Sequence, residues 1–300
     1  MLYSFPTISF LFFLICTVPL SAQELKVVNQ TYEDDKGLAH LIGPSTRSAL
    51  AQEPYNEWYS KYYDAYEPDQ AIIEKVNLDN DEYRILVFMG TWCGDSKRQV
   101  PKFYKVMDQL GFPEKNIELV NVYRELDQYK MSPGGEEVGL NIHRVPTFIF
   151  YKNDQEVGRI VESPITSMTT DVSQTLLGVP TQPRYIVVSY LESLFSNQQH
   201  QLVDDKLEAF GNYTARNTTT SAELNTYGYV LMAQEKYKEA IKVFEINTLA
   251  YPHEANTFDS LGEAYLKAGD KEQSKSCYEK ALQIDPNLES AKEALKTISG

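Results

Sequence analysis

A gapless repeat of 34 residues, spanning 221–254 and 255–288, constrains the fold more than any other feature of this chain. Repeat position 8 is glycine in both copies, at Gly228 and Gly262, and position 32 is proline in both. A glycine inside a helix lets a neighbouring helix approach closely, and a proline ends a helix. The repeat therefore predicts two stacked pairs of helices that share one continuous core.

Other positions of the repeat carry apolar side chains in both copies. Positions 4, 7, 11 and 24 hold Leu224 and Phe258, Tyr227 and Leu261, Leu231 and Tyr265, and Phe244 and Tyr278. With its period, this pattern resembles the tetratricopeptide repeat (TPR) family, which implies a helical stack that binds a protein or peptide partner. Because about three repeats are needed for a stable stack, residues 185–220 are predicted to form a helical cap or degenerate repeat, and residues 289–300 a C-terminal capping helix.

The preceding part of the chain, residues 69–178, alternates between strand and helix patterns. Tyr83–Met89 is an apolar run of strand length, which favours a central strand covered on both faces. After it come a helix pattern in Lys97–Leu110, a strand pattern in Ile117–Tyr123, a hairpin pattern in Thr147–Val161 and a helix pattern in Thr166–Leu177. This order of elements predicts an α/β layered domain.

The segment Gly90–Lys97 (GTWCGDSK) lies between the predicted central strand and the helix that follows it. Cys93 is therefore expected at the start of a helix. Unpaired backbone N–H groups and the positive end of the helix dipole favour a thiolate over a thiol at that position. Since the thiolate is the nucleophilic form of cysteine, Cys93 is the candidate catalytic residue.

Three separated motifs give this domain a family resemblance. Trp92-Cys93-Gly94 with Lys97 resembles the active-site turn of thioredoxins, Pro101 matches the kinking proline of the helix that follows, and Val145-Pro146-Thr147 resembles the cis-proline loop. The resemblance covers residues 69–178. It implies an α/β thioredoxin-like domain, followed in this chain by the all-α TPR domain. The substrate-groove residues that it implies are Trp92, Gly94, Asp95, Val145 and Pro146.

Two residues depart from the thioredoxin pattern. Ser96 stands where thioredoxins have the second cysteine of the turn, and Val87 stands where they keep a buried acidic residue that assists that second thiol. Cys93 therefore lacks a partner for a disulfide within the turn. The chemistry that remains uses one thiol: attack on a disulfide, a mixed disulfide with the substrate, and release by an external thiol. Ser96 is expected to hydrogen-bond the Cys93 thiolate.

Two functions fit this sequence. The first is an enzyme that isomerises disulfides, or removes glutathione, in protein substrates that carry disulfides or thiols. The alternative is a non-catalytic scaffold of the cell envelope, in which the thioredoxin-like domain and the TPR stack are both docking surfaces. Neither function requires a cofactor, and no spacing of His, Cys and carboxylate residues resembles a zinc site.

The N-terminus predicts export. The first 22 residues contain no charged side chain, and Ile8–Leu20 is an apolar run followed by small residues. A bilayer span requires about 20 apolar residues, so this shorter run predicts a signal peptide, 1–22, that is cleaved after Ala22. An uncleaved anchor and a lipoprotein signal before Cys16 remain as alternatives. The mature chain is predicted to be periplasmic or secreted, and to meet a membrane only during export.

Charge narrows the choice of partner. The chain has 42 acidic and 28 basic residues, which gives a net charge of −14. An acidic surface repels phosphate backbones, so general nucleic-acid binding is excluded.

Two further residues receive individual predictions. Cys277 is predicted to be a buried structural thiol. His143 is expected at the rim of the Cys93 site.

The other segments receive structural predictions. Residues 23–68 are predicted to be an N-terminal extension, in which Gly37–Pro44 is a loop. The helix pattern at 54–66 carries five aromatic residues on one face, which favours packing into a core. Residues 179–184, rich in proline, are the predicted linker between the two domains.

Overall fold

The computed structural model describes residues 28–77, 82–179 and 184–299. The predicted signal peptide 1–22 and most of the predicted linker 179–184 lie outside these residues. The strands are β1 (Gln30–Glu33), β2 (Ala39–Ser45), β3 (Tyr83–Met89), β4 (Ile117–Asn121), β5 (Thr147–Lys152) and β6 (Gln155–Val161). The helices among and after them are α1 (Arg47–Leu50), α2 (Asn56–Asp64), α3 (Gln70–Ile73), α4 (Gly94–Gln109) and α5 (Met168–Leu176).

The C-terminal part is helical. Its helices are α6 (Ile186–Ser196), α7 (His200–Asp205), α8 (Leu207–Asn217), α9 (Ala222–Ala233), α10 (Tyr237–Ala250), α11 (Ala255–Lys267), α12 (Lys271–Ile284) and α13 (Glu289–Ser299). Each copy of the 34-residue repeat therefore forms one helix pair, α9 with α10 and α11 with α12. Helices α6 to α8 fill the predicted cap region, and α13 packs on α12.

The six strands form one mixed sheet in the order β1-β2-β4-β3-β5-β6. β3 and β4 are parallel, with Met89 opposite Asn121, whereas β3 and β5 are antiparallel, with Val87 opposite Phe148. Because β3 and β4 run the same way, the loops that follow them leave the sheet at the same edge. That edge carries the turn with Cys93.

The central strand β3 is covered on both faces, as its apolar run predicts. Ile85, Val87 and Met89 point into a core shared with α2, α4 and α5. Leu86 and Phe88 point into a second, smaller core on the opposite face of the sheet. The alternation follows from the pleat, which sends successive side chains to opposite faces.

The prediction of a loop at Gly37–Pro44 is wrong, because β2 occupies most of this segment. β2 pairs with β4, with Gly43 opposite Asn121 and Pro44 opposite Val120, so the hairpin β1–β2 extends the sheet. Leu41 and Ile42 are buried. The glycine and proline that suggest a loop are tolerated because burial of these two side chains and pairing with β4 outweigh local preference.

The aromatic helix α2 packs against α4, and the predicted core role is confirmed for four of the five aromatic residues, Tyr55, Trp58, Tyr59 and Tyr66, whereas Tyr62 is not part of that core. Tyr55 and Tyr59 are buried, and Tyr66 is partly buried against the same core. The Tyr59 hydroxyl accepts a hydrogen bond from Arg47 Nε at 2.8 Å. The guanidinium of Arg47 in turn forms two hydrogen bonds with Asp108 of α4, at 2.7 and 2.6 Å. The segment before β3 is thereby fixed to the helix that begins at Cys93.

The repeat glycines allow the close helix contacts that the sequence predicts. A Cβ atom at Gly228 would lie 2.4 Å from Cζ of Phe244, and one at Gly262 would lie 3.0 Å from Cε1 of Tyr278. Both aromatic rings come from the second helix of the same repeat. Larger residues would force the helix pair apart.

The α/β part and the helical part touch each other. Arg144 Nη2 donates a hydrogen bond to the Ala222 carbonyl at 2.9 Å, and the Tyr185 hydroxyl donates to Glu162. The turn at Leu126–Gln128 packs against α9. Within the described residues, no helix is both long enough and apolar enough to cross a membrane.

Candidate active site

Cys93 is the N-cap residue of α4 and follows the turn that leaves β3. The turn is closed by Cys93 N–H donating to the Gly90 carbonyl at 2.9 Å, and Lys97 N–H donates to the Cys93 carbonyl at 3.0 Å. The side chain is partly buried, and Sγ–H donates to the Val145 carbonyl at 3.2 Å. A sulfur at a helix start faces unpaired N–H groups, which favour negative charge on it.

Trp92 is packed over the start of the turn. Its Nε1–H donates to the Val122 carbonyl at 2.9 Å, which ties the turn to the loop after β4. A Cβ atom at Gly90 would lie 2.4 Å from Trp92 Cε2, so the indole occupies the space that a side chain would need. Trp92, Cys93 and Val145 share the smaller core. The structure thus brings together three of the residues that the sequence assigns to the site.

Ser96 and Val87 are both fully buried. Ser96 Oγ accepts a hydrogen bond from Gly90 N–H at 3.3 Å, so this hydroxyl braces the turn. The expected hydrogen bond from Ser96 to Cys93 is not among the contacts of the described residues, where Sγ pairs with the Val145 carbonyl instead. Val87 lies among apolar side chains on the α4 face of β3.

Gly94 and Asp95 form the first turn of α4. Asp95 pairs with Arg98 in the same helix, with Oδ1 and Nη2 at 2.5 Å. An acidic residue in the first turn is favourable for the helix dipole. Asp95 therefore has a local structural role, and the predicted groove role of both residues stays a prediction.

The Val145–Pro146 peptide bond is cis and lies directly before β5. Thr147 Oγ1 donates to the Arg144 carbonyl at 2.7 Å, which closes the loop on itself. Arg144 Nη1 lies 3.5 Å from Glu162 Oε1, and its guanidinium lies 5.1 Å from the centre of the Tyr185 ring. The cis-proline loop thus contacts both Cys93 and the helical part.

His143 is predicted from the sequence to lie at the rim of the Cys93 site, but in the structure it is enclosed by the helical part. The residue is buried, and its ring packs edge-on against Tyr185 and Tyr227 of the helical part. Burial lowers the pKa of His143 to about 3. Among the described residues, its Nε2 has no hydrogen-bond partner. The contact with the helical part, which sequence spacing does not reveal, is the reason for the difference.

A series of buried polar contacts supports the turn from behind, and the sequence does not predict it. Thr91 Oγ1 accepts from Leu41 N–H at 3.1 Å and lies 3.3 Å from His40 Nδ1. His40 Nε2 lies 3.3 Å from Asp34 Oδ2. Hydrogen bonds from backbone N–H groups, first that of Leu38, hold the pKa of Asp34 below its usual range. The hairpin β1–β2 thereby supports the residue two positions before Cys93.

A cleft of about 420 Å³ separates the Cys93 turn from helix α9. Its lining residues come from the turn, from the loop after β4 and from α9: Trp92, Arg124, Leu126, Tyr129, Asn225, Thr226 and Tyr229. Within the part of the chain that the structure describes, no group of three or more His, Cys, Asp or Glu residues could hold a metal ion.

Cys277 belongs to the helical part and not to this arrangement. It lies in α12 and packs against the core of the helical part. Burial, followed by the charges of Glu245 and Asp270, raises the pKa of its thiol to about 11. Neither Cys93 nor Cys277 forms a disulfide.

Comparisons with known proteins agree with this architecture. The family model described as Thioredoxin matches residues 45–172, and the one described as Tetratricopeptide repeat matches residues 255–288. A thioredoxin from Malassezia sympodialis is 30% identical over 94 residues, which cover 31% of this chain and 82% of that protein. The predicted fold class, an α/β thioredoxin-like domain followed by helical repeats, is confirmed.

A solved structure of the Sgt2 TPR domain from Aspergillus fumigatus is also similar. It is 17% identical, with a TM-score of 0.28, over 40% of this chain and 79% of that chain. At this level of similarity, nothing about partners transfers to this chain.

Proposed function

Because the chain belongs to the thioredoxin family, we propose that it performs thiol–disulfide exchange with Cys93 as its single active-site thiol, while the TPR region binds a protein partner. One observation carries this proposal: Cys93 lies at the N-terminus of α4 against the Val145 carbonyl, with Ser96 one turn further along. A serine cannot attack the mixed disulfide, so the second step must use a thiol from outside the turn.

The proposed reaction begins when Cys93 loses its proton. The thiolate attacks one sulfur of a disulfide, a Cys93–sulfur bond forms, and the other sulfur leaves as a thiolate that takes up a proton. An external thiol then attacks the mixed disulfide and releases Cys93 as a thiolate. In isomerisation a second thiol of the same substrate does this, and no net reduction occurs. The start of α4 stabilises the Cys93 thiolate as nucleophile and again as leaving group.

The Val145 carbonyl has a defined place in this scheme. It accepts the Cys93 S–H in the resting site, at 3.2 Å. Once the thiolate forms, the carbonyl loses that donor and is free to accept an N–H from the substrate backbone. Positioning of substrate and loss of the thiol proton are thereby linked at one atom.

The volume of the cleft beside α9 favours a substrate of limited size. An opening of about 420 Å³ matches the size of small-ligand sites. It admits one extended segment or a small disulfide such as glutathione disulfide. Because residues of α9 line the cleft, a partner bound to the repeats would lie close to Cys93.

The test is turnover of a peptide that carries a mixed disulfide with glutathione, in the presence of excess glutathione. Wild type should catalyse release, Cys93→Ser should not, and Cys277→Ser should match wild type. Release at the uncatalysed rate by the wild type would reject exchange chemistry and favour the alternative, a scaffold with two docking surfaces.

We also propose that the protein is exported, supported by the uncharged apolar segment at the N-terminus. Mass spectrometry of the mature protein should then find Gln23 at its N-terminus. A mature protein that retains residues 1–22 would contradict cleavage.

A further inference from the structure

The cleft beside the Cys93 turn continues into a second cleft along the repeats. The second cleft has a volume of about 480 Å³, and it shares two lining residues, Leu126 and Tyr229, with the first. The two clefts therefore form one groove, which leads from Trp92 to Glu263 of α11. Leu126 is 59% exposed, so an apolar side chain is open to a ligand where the two clefts meet.

The wall that the repeats contribute to this groove is held in place by Tyr229 of α9. Its hydroxyl donates to Glu263 Oε2 at 2.9 Å, and its ring packs edge-on against Phe244, with 5.5 Å between the ring centres. Asn225 lies one turn earlier in α9 and lines the first cleft. Its Oδ1 has no hydrogen-bond partner among the described residues. An N–H group of a chain in the groove would satisfy this acceptor.

The groove is acidic where the repeats line it. Asp127, Glu235 and Glu263 line the second cleft, against one basic residue, Lys267. Within the part of the chain that the structure describes, none of these three carboxylates forms an ion pair with a basic side chain. A groove with an excess of unpaired carboxylates is complementary to a cationic ligand.

A further carboxylate, that of Asp259, lies one turn before Glu263 on the same face of α11. Burial raises the pKa of Asp259, a hydrogen bond from Ser290 opposes this, and the charge of Glu263 adds to it. Its Oδ1 also lacks a hydrogen-bond partner in the described residues. Like charges four residues apart destabilise a helix, so a bound cation would relieve this repulsion.

The end of the groove at Trp92 differs in charge. Arg124 and Tyr129 line it together with Trp92, and no carboxylate is among the described residues that line this first cleft. A basic side chain of a ligand is therefore favoured beside the repeats and disfavoured beside Trp92, the neighbour of Cys93. The groove thus has a direction.

We propose that the groove from Trp92 to Glu263 binds an extended protein segment whose lysine or arginine side chains lie against Glu235 and Glu263. The apolar stems of these side chains pack on Leu126 and Met232, while their charged ends reach the carboxylates. The end of the segment at Trp92 carries the sulfur that reacts with Cys93. The proposal rests on the exchange function proposed above and names basic protein segments as its substrate class.

The first test is fluorescence anisotropy with a labelled peptide of alternating lysine and glutamine, which contains no cysteine. It should bind, whereas a counterpart with glutamate in place of lysine should not. Glu235→Gln with Glu263→Gln keeps the acceptor for Tyr229 and should weaken binding about fivefold, the combined loss of two exposed ion pairs. Glu208→Gln with Glu272→Gln is the matched control, because it removes the same charge from exposed positions in α8 and α12, outside the groove. This control should bind like wild type.

A second measurement locates the peptide on wild type and does not depend on the folding of any variant. In NMR spectra, the lysine peptide should shift the backbone amide signals of Leu126–Gln128 and Tyr229, and leave those of Glu208 and Glu272 unchanged. Equal weakening by the two double variants, equal binding of the glutamate peptide, or shifts confined to residues outside the groove would each overturn the proposal.

The groove and the exchange function fail on different results. Because the peptide contains no cysteine, Cys93→Ser should bind it like wild type. If the peptide binds in the groove but wild type does not release glutathione from mixed-disulfide peptides, the groove stands and the exchange function fails. If wild type releases glutathione equally fast from lysine-rich and glutamate-rich peptides, exchange stands and the proposed substrate class is rejected.

Discussion

The start of α4 and the middle of α12 each present a free, partly buried cysteine, and their surroundings are opposite in character. Cys93 caps a helix N-terminus and touches one carbonyl, that of Val145. Cys277 lies within a helix, with Glu245 and Asp270 near it, and the pKa of its thiol is raised to about 11. Partial burial thus leaves the two thiols in different surroundings, one at a helix N-terminus and the other within a helix near two carboxylates, and such surroundings decide whether a thiolate is stabilised.

The first prediction concerns the two thiols directly. At neutral pH, iodoacetamide should modify Cys93 about a hundred times faster than Cys277, because a thiol pKa raised by two units, to about 11, reduces the thiolate fraction of Cys277 by about that factor. Timed alkylation followed by peptide mass mapping measures both rates in one sample. Denaturant should make the rates nearly equal. Similar rates in the folded protein would remove the contrast between the two sites.

The second prediction uses stability to test the buried charge of Lys130, a residue between β4 and β5 that is only 4% exposed. The pKa of Lys130 is about 7 when folded and 10.5 for the ordinary group, so the folded state binds fewer protons between these values. Wild-type stability should therefore rise from pH 7 to 10.5. Lys130→Met should raise the free energy of unfolding by on the order of 4 kcal/mol at pH 7, since each pKa unit corresponds to about 1.4 kcal/mol.

Urea unfolding of both proteins at several pH values measures this effect. The gain from Lys130→Met should disappear above pH 10.5. A gain that is equal at all pH values would show that packing, rather than charge, is responsible.

The third prediction concerns the two residues that distinguish this turn from a dithiol site. Ser96→Cys should form a 93–96 disulfide in air but catalyse insulin-disulfide reduction poorly, because Val87 offers the new thiol no proton acceptor. Adding Val87→Asp should raise turnover. Alone, Val87→Asp should destabilise by about 2–3 kcal/mol through an unpaired buried acid, whereas the near-isosteric Val87→Thr should cost less. Equal turnover of Ser96→Cys and the double variant would show that position 87 does not serve the turn.

The fourth prediction concerns pH and the contact between the two parts. The pKa of His143 falls from 6.5 to about 3 on folding, so only the unfolded chain binds a proton between these values. Wild-type stability should be lost as pH falls through 6.5, by about 2 kcal/mol at pH 5. His143→Phe keeps an aromatic ring between Tyr185 and Tyr227 and should lose this dependence. Thermal unfolding at pH 5 and 7.5 compares the two proteins, and parallel pH dependence would locate the titrating group elsewhere.

Sequence reasoning identifies the features that are encoded locally. The apolar run of β3, the position of Cys93 at a helix start and the glycines of the repeat all depend on short spacing, and the structure has them as predicted. The strand β2 is missed, because its pairing with β4 outweighs a local Gly-Pro signal. The other features that the sequence does not predict also depend on contacts between residues far apart in the chain.

Three polar features near Cys93 could not be read from the sequence. His40 reaches Thr91 across 51 residues, His143 is buried by helices that begin beyond residue 184, and Lys130 is enclosed by a loop with no motif. Their burial comes from the folded arrangement. A buried lysine at positive φ has no sequence signature, so only the structure reveals the burial of Lys130.

The most direct test of the central claim is intact-mass analysis of the folded protein after incubation with glutathione disulfide. We expect one mixed disulfide with glutathione on Cys93. The adduct should persist, because Ser96 cannot resolve it, and added glutathione should remove it. Cys277→Ser should form the same adduct, whereas Cys93→Ser should form none. An adduct on Cys277 with Cys93 unmodified, or no adduct on the wild type, would contradict Cys93 as the exchanging thiol.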